Sequence, residues 1–179
     1  MQKTIIIIIL LLLPLFPCLA QDTPVITEQF SALREQAFNA SAKALGITVS
    51  SSAEPWEVIM EMGLPQALVS LVSLKDGTAS LYFSDGRAVT GTAQDQGVGV
   101  ASKNLVMVSN GYLSGLSKTQ VHPLPEIGKV RFYLLSESGI FSSEQVDKEE
   151  LADGAHSLSG LFYLANEVIT ALRKIYQKQ

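Results

Sequence analysis

The most regular alternation of apolar and polar residues lies at residues 56–62 and predicts a strand with one face in water. Apolar side chains occupy the even positions, whereas Glu57 and Glu61 lie on the other face with Ile59 between them, and a period of two is typical of a half-buried strand. Strand residues four positions apart are separated by about 13 Å. Glycosidases hold their two carboxylates roughly 5–9.5 Å apart. We therefore expect the two glutamates to mark a solvated strand face rather than a catalytic pair.

The segments that follow predict a meander of antiparallel strands. Residues 67–74 are mostly apolar, residues 78–83 return beside them, and a short strand follows at 88–91. The two connections, at 75–77 and 84–87, each contain Asp-Gly. Because Asp-Gly tolerates the positive φ of tight turns, each connection is expected to form a hairpin.

Apolar residues at three- and four-residue steps predict three helices. The first covers residues 24–45 and is closed by Gly46, and the second covers residues 94–116. The last begins at Ser157 or Ser159 and carries basic residues near its C-terminal end, where they complement the helix dipole.

Between the second and third helices, the pattern predicts two more strands. Residues 117–128 contain two prolines and are expected to form a loop. Alternation at residues 129–136 and a turn at Ser138-Gly139 predict a strand that returns at residues 140–143. The acidic residues 144–153 are expected to form a loop or a single helical turn.

The order of the elements, α-β-β-β-α-β-β-α, predicts the α+β class, because strands that come in hairpins form an antiparallel sheet. We expect about five strands and three helices. The first and last helices would lie on one face and the middle helix on the other, or all three on one face. Over residues 24–176 this order resembles the profilin-like architecture, which includes roadblock and longin domains. A shared fold would not transfer a function.

Three segments carry a second resemblance. Residues 56–63 (WEVIMEMG), 76–84 (DGTASLYFS) and 156–163 (HSLSGLFY) look like segments of bacterial proteins that have no assigned activity. The resemblance implies a family of uncharacterised bacterial proteins and no chemistry.

Residues 1–20 have the pattern of a secretory signal peptide. Lys3 supplies a positive charge, residues 5–13 are uniformly apolar, and small Ala20 precedes polar residues. Since a membrane span needs roughly 20 apolar residues, the apolar run is too short to be one. We expect cleavage after Ala20, which leaves residues 21–179 as a single domain in the periplasm or outside the cell.

A lipoprotein is the alternative interpretation of the same leader. Leu15 and Cys18 have the spacing of a bacterial lipobox. Pro17 stands where such a box requires a small residue, which disfavours lipidation of Cys18. Because Cys18 is the only cysteine of the chain, the mature protein is expected to form no disulfide, which favours a bacterial envelope over a eukaryotic secretory pathway.

Charge and motifs exclude several classes of function. The chain has 179 residues and a formal net charge of −4, without a run of basic residues, which argues against a nucleic-acid binder. His122 and His156 are the only histidines, and neither has the spacing of a metal site. A Gly-x-Ser-x-Gly turn, typical of serine hydrolases, does not occur. We therefore expect no cofactor and no metal, and we expect His156 to cap the last helix or to close a loop.

The remaining candidates are residues for binding. Loop tips on a rigid sheet often carry recognition, and strand aromatics either form a platform for a partner or fill the core. The candidate binding residues are Trp56, Tyr82, Asp85, Arg87, His122 and His156. We expect an exported, non-catalytic module that recognises a protein or a small ligand. The alternatives are a hydrolase that uses His122 or His156, and a homodimer formed through the first or last helix.

Overall fold

The computed structural model describes residues 24–177, and the sequence-predicted meander forms the first half of its sheet. Four strands pair in sequence order, each antiparallel to the one before: β1 (Glu57–Leu64), β2 (Ala67–Leu74), β3 (Ala79–Phe83) and β4 (Ala88–Gly91). Gly77 and Gly86 in the connecting turns have φ angles of +101° and +91°. The two predicted Asp-Gly turns are therefore confirmed.

The second half of the chain adds four strands on the other side of β1. They are β5 (Ser117–Thr119), β6 (Lys129–Ser136), β7 (Gly139–Ser142) and β8 (Val146–Asp147). Strand β6 pairs with β1, so the order across the sheet is β4-β3-β2-β1-β6-β7-β5, and β8 pairs with β6 near Lys129 and Val130. Every pair of these strands is antiparallel, and the predicted α+β class is confirmed.

The predicted number of about five strands is too low, because residues 24–177 form eight. Strand β5 lies in a segment expected to be a loop, and β8 lies in the segment 144–153, expected to be a loop or a single helical turn. The helical turn is present there as well, at Lys148–Ala152. The two strands contain three and two residues, which is too short for any period to be recognised. Their structure comes from hydrogen bonding to the longer strands β7 and β6 and not from a local pattern.

Helical layers cover both faces of the sheet. The helices are α1 (Glu28–Phe38), α2 (Gln96–Ser109), α3 (Lys148–Ala152) and α4 (Ser159–Tyr176), and a 3₁₀ helix, Asn110–Gly115, continues α2. Helices α2 and α4 pack with Met60 of β1 in one apolar core, whereas Phe38 of α1 packs with Ile59 in another. The predicted placement, with the first and last helices on one face or all three together, is wrong. Strand β1 buries both faces, so each face needs its own cover.

Helix α1 is shorter than the predicted 24–45. It begins after Thr27, whose side chain accepts a hydrogen bond from the Phe30 N–H (3.2 Å), and it ends at Phe38. Beyond it the chain turns, yet Ala42 and Ile47 remain buried in the same core as Phe38. The apolar spacing therefore continues past the helix because the chain continues to pack on the sheet.

The predicted signal peptide, residues 1–20 with Cys18 and the cut after Ala20, lies outside the described residues, so it stays a prediction. Within residues 24–177, no helix combines the length and the apolar character that crossing a bilayer requires.

Candidate functional site

Two carboxyl groups are buried in the sheet face beneath α1. Glu57 and Glu61 of β1 are 0% and 1% exposed, so the prediction that they mark a solvated face is wrong. Within β1 the alternation is as predicted, and both side chains lie on the face of Ile59. Trp56, predicted on the face of Val58, instead lies in the core of Ile59, because it precedes the strand. The local pattern could not show that α1 and the turns after it cover this face.

Glu61 is fully paired within the protein. The Arg34 guanidinium of α1 donates two hydrogen bonds to it, from Nε to Oε1 at 2.7 Å and from Nη2 to Oε2 at 2.9 Å, and the Ser70 hydroxyl donates to Oε1 at 2.8 Å. Arg34 Nη2 also donates to the His122 carbonyl oxygen. A bidentate guanidinium compensates a buried carboxylate by both charge and geometry. This ion pair therefore fixes α1 and the loop around His122 to the sheet.

Glu57 has no comparable partner. Neither of its carboxyl oxygens accepts a hydrogen bond from a residue of the described chain. Burial raises the pKa of Glu57 from its ordinary value of 4.5 to about 8, so the carboxyl is mainly protonated at neutral pH. It lines a cavity of about 110 Å³ together with Ser80 and Tyr82 of β3. Burial also raises the pKa of Tyr82, and the negative charge of Glu57 adds to that effect.

His122 lies in an aromatic cluster on the same face of the sheet. Its imidazole stacks on the Phe38 ring with 4.0 Å between centroids and 7° between planes, and Tyr133 meets both rings edge-on. Burial, reinforced by the nearby Arg34 charge, lowers the pKa of His122 below its usual value. The ring is therefore neutral at pH 7, and its Nε2 is buried without a hydrogen-bond partner among residues 24–177.

A cavity of about 400 Å³ beside α1 brings His122 together with Ser31 and Glu35. These are the residue types of a hydrolytic centre. The signature of such a centre is a nucleophile hydrogen-bonded to its base. Ser31 Oγ instead donates to the Thr27 carbonyl oxygen at 3.2 Å, so the three side chains share a cavity without forming that signature.

His156 closes the turn that precedes α4 and does not cap the helix, whose N-cap residue is Leu158. Its Nδ1 accepts a hydrogen bond from the Leu158 N–H at 3.1 Å, and its own backbone N–H donates to Ser159 Oγ at 3.3 Å. The sheet separates His156, on the α4 side, from His122, on the α1 side. Among the described residues, no group of three or more His, Cys, Asp or Glu side chains is arranged to hold a metal ion.

A third cavity, of about 340 Å³, opens between β3, β4 and the last turns of α4. Its apolar walls are formed by Leu81, Phe83, Ala88, Val89, Leu172 and Tyr176. The charged members of its lining are Arg87 and Arg173. Arg87 Nε donates to Asp85 Oδ2 at 2.7 Å, and its Cζ lies 5.1 Å from the Phe83 ring centroid. Hydrogen bonds from the Arg87 backbone N–H and then from its guanidinium lower the pKa of Asp85, which stays ionised.

The structure distributes the sequence-predicted binding residues over three places. Trp56 and Tyr82 belong to the core beneath α1, and His122 stacks at the margin of that core. The pair Asp85 and Arg87 lies at the β3–β4 turn. His156 lies apart from all of these at the start of α4.

Sequence reasoning did not identify Arg34, Glu57 or Arg173 as members of a site. Arg34 lies within the predicted first helix without a motif that singles it out, and Glu57 was expected on a solvated strand face. The one available signal was Ile59, a large apolar residue on the face assigned to water. For Arg173 no signal was available, since a basic residue near a helix C-terminus is common for electrostatic reasons.

Comparison of the chain with protein-family models, with curated proteins and with solved structures found no match.

Proposed function

We propose that the protein is an exported, non-catalytic binding module that takes up a small alkyl carboxylate in the cavity between β3, β4 and α4. The observation that carries the proposal is an apolar cavity of about 340 Å³ with two arginines in its lining, Arg87 and Arg173. Ligand pockets typically have apolar walls and a few polar groups that orient the ligand. The volume lies at the lower end of the usual ~300–1,000 Å³ range, which suits a medium-length acyl chain.

The two arginines support the choice of a carboxylate. A guanidinium presents a planar fork of donors that matches a carboxylate bidentately. Arg87 shares its charge with Asp85, whereas Arg173 forms no ion pair with an acidic residue of the described chain. Exposed ion pairs contribute about 1 kcal/mol or less. The apolar walls therefore supply most of the affinity, and Arg173 selects the head group.

Calorimetric titration with decanoate and with decanol tests this proposal. Decanoate should bind several-fold more tightly than decanol, and Arg173→Ala should weaken decanoate binding about fivefold, in keeping with the loss of an exposed ion pair of about 1 kcal/mol. Lys174→Ala is the matched control, because it removes the same charge from the next residue, which faces the groove between α2 and α4. Equal binding of the two ligands, or equal weakening by the two substitutions, would contradict the proposal.

Export is tested separately. When the full chain is expressed in a bacterium, the mass of the purified protein should correspond to a chain that begins at Gln21. A protein that keeps Met1 and fractionates with the cytoplasm would contradict export.

A second candidate function, ester hydrolysis, is favoured by the cavity that His122 shares with Ser31 and Glu35. It predicts turnover of a nitrophenyl ester that is lost in Ser31→Ala and in His122→Ala and is kept in His156→Ala, since His156 Nδ1 is occupied by the Leu158 N–H. Absence of turnover above buffer, or turnover that both substitutions leave unchanged, would exclude it.

A further inference from the structure

The cavity at Glu57 is lined by four parts of the chain, one of which is β2 with Val72 and Leu74. Strand β1 contributes Glu57, β3 contributes Ser80 and Tyr82, and α1 with the turns after it contributes Gln36 and Leu45. Its volume is about 110 Å³. Gln36 and Leu45 are exposed, so the cavity reaches solvent at the edge of α1.

Glu61, four residues along the same strand face, shows how this protein compensates a buried carboxylate. It receives a guanidinium and a hydroxyl, Arg34 and Ser70. Glu57 is just as deeply buried, and neither of its oxygens accepts a hydrogen bond from the described residues. No lysine, arginine or histidine lines its cavity. An unpaired buried carboxylate is costly, so a bound cation would be needed to keep Glu57 ionised near neutral pH.

We propose that this cavity binds a primary ammonium group, with Glu57 as its counter-ion. An ammonium is a compact charge with three hydrogen-bond donors. The Glu57 carboxylate and the Tyr82 hydroxyl oxygen offer acceptors. A further acceptor is Ser80 Oγ, which also shares a hydrogen bond with Thr90 Oγ1 at 3.0 Å. The volume of about 110 Å³ exceeds the ~30 Å³ share of one water molecule several times, so an ammonium with a short alkyl stem fits. This site is separate from the cavity at Arg173.

Ligand binding displaces one proton. The carboxyl O–H bond breaks, its electron pair stays on oxygen, and the proton passes to the buffer, while the N–H bonds of the ammonium ligand stay intact. The product is a carboxylate–ammonium pair. Of the residues that line the cavity with Glu57, Tyr82 of β3 is the titratable one. On the other side of β1, strand β6 places Leu135 beside Glu57 and Tyr133 beside Ile59. Helix α1 and strand β2 present only neutral side chains to the cavity, namely Gln36, Ala37, Val72 and Leu74.

Calorimetric titration of the purified protein with propylammonium tests the proposal. Because the pKa of Glu57 is raised to about 8, the ionised fraction increases about 25-fold between pH 6.5 and 8.5, and the affinity should increase by about the same factor. Heats measured in two buffers of different ionisation enthalpy should show the release of nearly one proton at pH 6.5. Propanol, a neutral ligand of similar size, should show neither effect.

Two substitutions and one control locate the effect. Glu57→Gln should weaken propylammonium binding at least tenfold at pH 8.5 and abolish its pH dependence. Glu28→Gln, at an exposed glutamate of α1 outside this cavity, should leave the affinity and its pH dependence unchanged. Ala40→Leu narrows the cavity from the side of α1 without changing any charge. It should therefore weaken propylammonium binding, and this result tests the site even if Glu57→Gln does not fold.

A second titration distinguishes two sources of the ammonium group, a lysine side chain and a free amine. Nα-acetyl-lysine methylamide, which places the ammonium on a peptide-like stem, should bind more tightly than propylammonium if a lysine side chain is the natural ligand, and more weakly if a free amine is. Equal heats for propanol and propylammonium, binding that Glu57→Gln leaves unchanged, or no binding between pH 6.5 and 8.5 would overturn the proposal.

Discussion

The two faces of the sheet differ in what they bury. The face toward α2 and α4 is packed with side chains such as Met60, Leu71 and Phe132, and its buried core contains no charged group among the described residues. The face toward α1 contains the carboxyl groups of Glu57 and Glu61. An apolar core depends on volume and shape, whereas each buried polar group depends on a particular partner. One face therefore supplies mainly stability, and the other holds the buried titratable groups.

Truncation of a side chain on the apolar face, the one toward α2 and α4, should cause the largest loss of stability. Phe132 is fully buried, and Phe132→Ala should lower the free energy of unfolding by about 4 kcal/mol, because it removes buried apolar surface and leaves a cavity. Urea denaturation should give nearly the same loss at pH 5.5 and at pH 8.5. Val100→Ala, at an exposed position of α2, is the control and should change stability by less than about 0.5 kcal/mol. A strongly pH-dependent loss at Phe132 would contradict the contrast between the faces.

We call the sheet face toward α1 the polar face. Removal of the Arg34 guanidinium from this face should lower the free energy of unfolding slightly less than Phe132→Ala does, and the loss should depend on pH. Arg34→Met should lower the free energy of unfolding by about 3 kcal/mol near pH 8, since it leaves Glu61 buried without compensation. The loss should shrink toward pH 5, where the uncompensated carboxyl can take up a proton. The double substitution with Glu61→Leu should recover most of the stability. If the double variant is less stable than Arg34→Met alone, the ion pair is not the reason for the loss.

Glu57→Gln tests whether the unpaired carboxyl of the polar face makes the stability of the protein depend on pH. Between pH 4.5 and about 8 the folded protein keeps the Glu57 proton, whereas the unfolded chain loses it, so wild-type stability falls as pH rises through this window and levels off above it. Glu57→Gln removes this dependence. Relative to its stability at pH 6.5, the variant should gain about 2 kcal/mol over wild type at pH 8.5 in urea denaturation. Parallel pH profiles of the two proteins would show that Glu57 is ionised in the fold.

The smallest loss of stability is expected for a substitution at Thr27, where α1 joins the sheet. Thr27 Oγ1 accepts from the Phe30 N–H and donates to the Ser84 carbonyl oxygen at 3.1 Å. Thr27→Ala should therefore cost about 1 kcal/mol, measured by urea denaturation. Ser31→Ala, one turn along and exposed, should cost less than about 0.5 kcal/mol. Equal losses would mean that the cap does not help to hold α1 on the polar face.

Much of the sheet could be predicted from the sequence, because its signals are local. The bounds of β2, β4 and β6 match the predicted segments, since hydrophobic runs, Asp-Gly turns and a period of two are written in adjacent residues. Strands β5 and β8 could not be predicted, because their pairing partners lie elsewhere in the chain. The sides on which the helices pack could not be predicted either. The charges of Glu57 and Glu61 indicated a solvated face of β1, whereas α1 and the turns after it cover that face.

The site was less predictable than the fold. Glu61 is compensated by Arg34, which is 27 residues away along the chain, and no spacing rule connects a helix residue with a strand residue across a loop. Glu57 lacks a hydrogen-bond partner within the described residues, and no sequence pattern indicates that a contact is missing. His122 was identified as a candidate, but its stacking on Phe38 depends on a long loop that returns to α1.

Trp56 gives the polar face a built-in optical signal. It is the only tryptophan of the chain and is 3% exposed in the core beneath α1. Its fluorescence therefore comes from one known place, and a shift of its emission toward longer wavelengths reports the moment when water reaches that place. Loosening of the α1 layer can thus be followed in the unlabelled protein, separately from circular dichroism, which follows the backbone of the whole fold.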